Sequence, residues 1–351
     1  MIERPIFIIG TERSGSNLMR LLLNTHPRLA VPHPPHVVRY FKPLERGYGD
    51  LLADDPFRRF VTDILNFLAV HIHPWAIPID VATIMKLAPS RTSFGVCVAL
   101  YEQYRTYVRK PRWACKSTFM IDDTGTVLSH FPRAQFVFLV RDPRDVAVSS
   151  RSSIFSTFHP YYTALLWQRQ QLEGIRLLET LSSDRILLVR YEDLLEEPEK
   201  QLRRICEFIG EDFVPAMLRY FETEEAARSA ALARCWANIS KPLLQNNSGK
   251  FLQELSAEDI KIVESTAREP MLRLGYPLVS PATTLREASY RRHNIARFWL
   301  AEQWLRARAE IRSGATDRNF RRRWRRGALA TYLHFRRSLL PRLVGVRWQH
   351  F

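Results

Sequence analysis

The sequence predicts an α/β fold, a parallel sheet flanked by helices and followed by a basic helical extension at the C-terminus. Three observations carry this. Short apolar runs at 5–10, 135–141 and 185–191 alternate with segments of helical spacing, the pattern of strands buried on both faces of a parallel sheet. Two of these runs lead straight into a helix through a Gly-rich or an Asp-Pro turn. The third is charge. Residues 281–351 hold 17 Arg against 4 acidic residues, a net of +13. Residues 1–280 then hold 35 basic and 32 acidic groups, a net of +3. A near-neutral body and a strongly basic tail therefore need separate explanations, with a boundary near residue 280.

The elements follow in order. Pro5-Ile6-Phe7-Ile8-Ile9-Gly10 reads as a buried strand closed by Gly. Leu18 to Asn24 places Leu and Met at helical spacing and stops near His26-Pro27. Residues 31–36 form a loop, because Pro32, Pro34 and Pro35 interrupt any helix. Helices are expected over 54–72 and 96–109, while the Pro-rich stretch 72–95 has no decisive period. A short strand covers Trp113 to Lys116, and Gln135 to Arg141 is a strong buried strand. Asp142 is placed to cap the helix that carries Val146 to Ser150, with Pro143 in its first turn. A helix over 162–181, a strand over 185–191 and helices from about 195 and from Ser256 complete the body. The tail reads as two Arg- and Trp-rich helices over 285–340, with Gly314 as the break.

A chain of 351 residues with 46% hydrophobic and 11% aromatic residues can build a real core, which excludes wholesale disorder. The four Cys have no C-x-x-C spacing, so zinc sites and disulfide frameworks are not expected and reduced thiols are. The apolar runs are too short to span a bilayer, and a strand starting at residue 5 leaves no room for a signal peptide. The expected location is the cytoplasm.

Two segments carry anion chemistry. In Gly10-Thr11-Glu12-Arg13-Ser14-Gly15-Ser16-Asn17, two Gly five apart let the backbone wrap an anion at the positive end of the next helix. This is P-loop spacing, G-x-x-x-x-G, but Ser16-Asn17 stands where Lys-Ser/Thr is usual. The cation is offered by Arg13 instead, which argues against ATP or GTP hydrolysis. The second segment puts Arg141 at the C-terminal end of a buried strand, with Ser149 eight residues later. A forked guanidinium and a hydroxyl are a good set for a phosphate at the sheet edge where ligands of open α/β folds bind.

Together these segments resemble the sulfotransferases that use 3′-phosphoadenosine 5′-phosphosulfate (PAPS), and within them the bacterial and Golgi-type carbohydrate and protein enzymes. The resemblance covers roughly residues 4–280 and includes Asn24-Thr25-His26-Pro27, Lys116-Ser117, Arg190-Tyr191-Glu192-Asp193-Leu194 and Leu274-Gly275-Tyr276. It implies a P-loop-like parallel sheet. It implies that Arg13, Ser14, Gly15, Ser16 and Asn17 bind the 5′-phosphosulfate and that Arg141 and Ser149 bind the 3′-phosphate. It implies Lys250, in Asn247-Ser248-Gly249-Lys250-Phe251, near the nucleotide, and Lys116 on the acceptor side. The reaction would be sulfuryl transfer to an acceptor hydroxyl, most readily of a carbohydrate or glycolipid, aided by Arg13 and by the loop amides. No metal is implied.

The general base departs from the family pattern, because Pro34 stands where relatives carry a Glu. His33 and His36 flank it, and a neutral imidazole is a competent base near pH 7. His36 is favoured. Arg20 reads as a residue of the helix face, and Tyr191-Glu192-Asp193 as the anchor of a strand end. Two other functions stay open: a P-loop nucleotide kinase, and a nucleotide-binding membrane-surface protein without catalysis. The tail suits an anionic membrane surface, reached peripherally from the inner face, with Trp at headgroup depth and Arg on lipid phosphates. A nucleic-acid patch, which the near-neutral body disfavours, a homo-oligomer interface and packing on the body are the alternatives.

Overall fold

The computed structural model describes residues 4–153, 156–281, 283, 285, 290–316 and 319–339. In chain order the first half contains β1 (Ile6–Gly10), α1 (Ser16–Thr25), β2 (Leu29–Ala30), α2 (Val37–Phe41), α3 (Asp54–Ala69), α4 (Val81–Leu87), α5 (Ser93–Tyr107), β3 (Arg112–Lys116), α6 (Thr124–His130), β4 (Gln135–Val140) and α7 (Pro143–Ser150). The second half contains α8 (Pro160–Thr180), β5 (Ile186–Arg190), α9 (Tyr191–Glu196), α10 (Pro198–Ile209), α11 (Glu224–Leu232), α12 (Phe251–Glu254), α13 (Ala257–Arg273), α14 (Arg292–Thr316) and α15 (Phe320–His334).

The chain forms two compact units. The larger contains Ile6–His26 and Lys116–Asp317, and the smaller contains Met1–Pro5, Pro27–Cys115 and Arg318–Phe351. In the larger unit β4 lies between β1 and β5 and runs parallel to both, with Gly10 opposite Leu139 and Val140 opposite Arg190. Every residue of β1 and β4 is buried, as their uninterrupted apolar sequences require. The three strands end at one edge, so the segments that follow Gly10, Val140 and Arg190 emerge together. In the smaller unit β2 and β3 pair in parallel, and Phe41, Phe57, Phe60 and Phe67 form an aromatic core.

Local signals acted where the sequence placed them. The Asp142 carboxylate accepts from the Arg144 amide at 2.9 Å and Pro143 opens α7. The Ser256 hydroxyl accepts from the Asp259 amide at 3.1 Å to start α13. The proline loop at 31–36 is irregular. Gly314, expected as a break, lies inside α14, which runs on to Thr316. One Gly costs a helix only about 1 kcal/mol, less than a 25-residue element gains elsewhere. The short helices α4, α9 and α11 have too few turns to show a period in sequence.

The two tail helices belong to different units. In α14 the buried Glu302 carboxylate accepts from the amides of Phe158 and His159 at 2.9 and 2.8 Å, and Phe298 packs on His159 and Tyr161. In α15 the Arg326 guanidinium lies over Tyr40 and Phe67 and donates to the Pro35 carbonyl at 3.2 Å. Burial holds Arg326 down at about 10. Just beyond α15, Arg337 pairs with Asp63 at 3.1 Å. Among the described residues no helix is long and apolar enough to cross a membrane.

Candidate functional site

The site begins where β1 ends. Gly10 has φ 141°, and a Cβ there would strike the Leu139 carbonyl oxygen of β4, so only glycine lets the chain turn away this close to the sheet. The loop closes with the Ser14 amide on the Thr11 carbonyl at 3.3 Å. Gly15, at φ 85°, precedes α1, whose N-terminus has no side-chain cap and no acidic residue in its first turn. Its first amides and its positive dipole end are thus left for an anion. Arg13 occupies the left-handed region at φ 69°, a strained position for a side-chain-bearing residue of the kind that gathers at functional sites.

The second segment meets the first. Arg13 Nε donates to Ser149 Oγ at 3.1 Å, and Arg13 Nη2 donates to the Cys235 carbonyl at 3.2 Å. Arg141, one residue past β4, donates from Nη1 to the Arg13 carbonyl at 3.1 Å and from Nη2 to the Asn247 carbonyl at 2.9 Å. Its guanidinium lies 4.5 Å over the Tyr191 ring, and the Asp145 carboxylate stands 3.9 Å away. The strand-end pairing of Arg141 with Asp145 is therefore loose. Asp142 is taken instead by Arg144, which also pairs with the fully buried Glu264.

Three donors at this place are buried without a hydrogen-bond partner among the described residues: Ser14 Oγ, Asn17 Nδ2 and Arg141 Nε. Buried donors are expensive to leave unmade, and these three lie on the two segments read as anion-binding. Donors left open on both segments suit an anionic ligand such as PAPS.

Asp145 in α7 organises a third segment. Its carboxylate accepts from the amides of Gly249 and Phe251 at 2.7 and 3.0 Å, which fixes Lys250 between them, half-exposed and beside the Asn247 that meets Arg141. Burial pushes the Asp145 carboxyl up, opposed by Arg141 and by those two amides. The Tyr191 hydroxyl accepts from Asn247 Nδ2 at 2.7 Å. A Cβ on Gly15 would clash with Cδ2 and Cε2 of Tyr191, so this ring limits how the anion loop can sit.

The remaining expected residues lie elsewhere. Lys116 is buried at the end of β3, ahead of the turn Thr118–Asp123. His33 and His36 belong to the smaller unit. His36 is half-buried at φ 55°, the residue preceding α2. His33 is buried in an imidazole cluster, its ring stacked on His73 at 5.0 Å and tilted to His71 at 5.3 Å. Burial, with Arg326 nearby, pushes His71 down to about 3.

Two side chains do more than the sequence showed. Arg20, a face residue of α1, is fully buried, with bonds to Asn17, Glu225 and Ser229. Tyr191 is part of the site as well as of a strand end, the anchoring role falling to Glu192, which accepts from the Asp142 amide and the Tyr276 hydroxyl. The Arg190-Tyr191-Glu192-Asp193-Leu194 pattern was the available signal for Tyr191. Nothing in the sequence pointed to the hold of Asp145 on the Gly249 amide, to the bond between Arg141 and the Asn247 carbonyl or to the Cys235 carbonyl, each a contact across more than 100 residues.

A model of the sulfotransferase family matches residues 5–215. The protein-tyrosine sulfotransferase of Drosophila melanogaster is 24% identical over 290 residues, covering 80% of this chain and 53% of that protein. Carbohydrate sulfotransferase 4 of Mus musculus is 26% identical over 155 residues, 41% of this chain and 39% of that protein. The chain thus spans about half or less of these two relatives. Among solved structures, the sulfotransferase domain from the curacin biosynthetic pathway aligns with a TM-score of 0.53 at 18% identity, over 79% of this chain and 99% of that one. That likeness shows the fold, the P-loop-like parallel architecture expected from the sequence.

Proposed function

The chain belongs to the sulfotransferase family, and from that premise we propose that it transfers the sulfuryl group of PAPS to a hydroxyl of an acceptor, a carbohydrate or glycolipid in the first instance. The observation that carries this is the meeting of the two anion segments at Arg13 and Ser149, with Ser14 Oγ, Asn17 Nδ2 and Arg141 Nε left as buried donors. PAPS supplies an activated sulfuryl group; what remains falls to residues of this chain. The amides of Gly15, Ser16 and Asn17 hold the 5′ end, and Arg141 and Ser149 hold the 3′-phosphate with Lys250 beside them. Arg13, fixed in a strained conformation, offers its charge where negative charge builds on the transferring oxygens. Lys116 serves the acceptor side. His36 takes the acceptor proton in place of the missing Glu, and His33 is the second candidate.

The names of the relatives, one a tyrosine and one a carbohydrate sulfotransferase, support a hydroxyl as the acceptor. We place the enzyme in the cytoplasm, with the Arg- and Trp-rich tail as the element that brings it to an anionic membrane surface. The test is transfer of radiolabelled sulfate from PAPS to a carbohydrate, a glycolipid and a tyrosine peptide. Label on at least one of them is expected. Nucleotide binding without label on any would favour the non-catalytic reading, for which Pro34 in the position of the acid is the support. Transfer of phosphate from ATP instead would favour the nucleotide kinase reading.

A further inference from the structure

Arg20 has no role in the reading above, yet its side chain is fully buried and its bonds include three in three directions. Nε donates to Asn17 Oδ1 at 2.8 Å, Nη1 to Glu225 Oε1 at 2.7 Å and Nη2 to Ser229 Oγ at 2.8 Å. Asn17 is one turn back along α1, in the anion loop, and Glu225 and Ser229 lie on α11, more than 200 residues further along the chain. A guanidinium has five donors and no acceptor, so it can face only the oxygen of the Asn17 amide. The opposite orientation would set a donor against a donor. The Asn17 NH₂ group is thereby turned away from Arg20, and Nδ2 is one of the buried donors with no partner among the described residues.

We propose that Arg20 is a positioning residue for anion recognition: by holding Asn17 Oδ1 it presents the Asn17 NH₂ to the bound 5′-phosphate group. The anion loop then has a fixed neutral donor at Asn17, the position where a P-loop carries its Ser/Thr, one residue after the place of the missing Lys. The Glu225 carboxylate pairs with the buried guanidinium and orients it, so α11 acts on the loop through Arg20. This rests on the PAPS-site reading of the loop. It adds a function for a residue pair whose chemistry that reading does not use.

The experiment is a double-mutant cycle read by titration calorimetry with adenosine 3′,5′-bisphosphate, alongside thermal unfolding. Arg20→Lys keeps the charge but cannot serve three acceptors at once. It should weaken binding about tenfold, the worth of one well-placed hydrogen bond. In an Asn17→Ala background the same substitution should change binding by less than about twofold, because the group it positions is gone. Glu225→Ala removes the anchor from the α11 side and leaves Arg20 in place. It should weaken binding in the same direction and lose that effect in the Asn17→Ala background, which keeps the test open if Arg20→Lys fails to fold. Equal losses in both backgrounds would mean that Arg20 only supports the fold, and would overturn the proposal. Wild-type protein that binds no bisphosphate would overturn the site reading as well, whereas a wild type that binds and an Arg20→Lys variant that binds equally would overturn this inference alone.

Discussion

Arg13 and Ser149 stand 136 residues apart in sequence and share a hydrogen bond of 3.1 Å. The bond ties the loop after β1 to the helix after β4, and Arg141 ties them a second time through the Arg13 carbonyl. Two anion segments that the sequence offered separately thus form one site at one sheet edge.

Arg13→Ala removes the charge that we propose faces the transferring group. Turnover should fall roughly a hundredfold or more, as for loss of one preorganised oxyanion donor. Ser149→Ala removes a single neutral donor, and bisphosphate binding should weaken by about 1 kcal/mol with turnover at saturation nearly kept. Steady-state kinetics with PAPS as the varied substrate separates the two. Equal effects on kcat from both changes would contradict the division of roles.

Gly15→Ala tests the Tyr191 ring as the floor of the loop. The new Cβ meets that ring and the backbone sits at φ 85°, so the loop must shift. Loss of bisphosphate binding is expected, and Tyr191→Ala in the same chain should restore part of it by making room. Binding by Gly15→Ala at wild-type strength would show that the ring does not set the loop.

The base assignment is tested by His36→Ala and His33→Ala. Turnover should drop sharply in His36→Ala while bisphosphate binding survives. His33→Ala should act mainly on stability, since that ring is packed against His71 and His73. Wild-type turnover in both single variants and in the double variant would remove histidine from the base role.

Acid sensitivity follows from the same cluster. In the folded chain His71 titrates near 3, against 6.5 as the ordinary value. The unfolded chain therefore binds more protons between these values, and the stability that neutral His71 contributes is lost as pH falls from about 6.5 towards 3. His71→Asn keeps an acceptor for the His73 amide and removes the titration. Unfolding midpoints measured across that window should fall with acid in the wild type and flatten in the variant. Parallel curves would assign the sensitivity to other groups.

The tail is best probed by point changes. Removing it would take Arg326 from Pro35, Tyr40 and Phe67 and Arg337 from Asp63, and so damage the smaller unit. Leu300, Trp304 and Ile311 are 60%, 60% and 78% exposed on α14, while Glu302 fastens its other face. Leu300→Ser with Trp304→Ser should reduce co-sedimentation with anionic vesicles several-fold without lowering the melting temperature. Unchanged sedimentation would eliminate this face as a lipid contact.

The strands, the anion loop and the Arg141 helix were legible because each is a local pattern. An apolar run, a Gly pair, an Asp-Pro cap and a strand-end Arg all act within a few residues. The helix-face place of Arg20 was legible but its burial was not, because Glu225 and Ser229 sit on a helix more than 200 residues away and no local rule marks an Arg that ties two segments together. Asp145 escaped for the same reason: its partners are backbone amides of a distant loop, and amides leave no mark in sequence. The expected helix break at Gly314 failed through a competing effect, since α14 holds together across one poor helix former.

The most direct measurement is titration of the full chain with adenosine 3′,5′-bisphosphate and with ATP. The bisphosphate should bind and ATP should not displace it at comparable concentration, because the loop has Ser16 where a triphosphate needs a Lys and offers Arg13 and Asn17 instead. Arg141→Ala should abolish the preference for the 3′-phosphate. ATP binding as tightly as the bisphosphate, or a preference untouched by Arg141→Ala, would contradict the account.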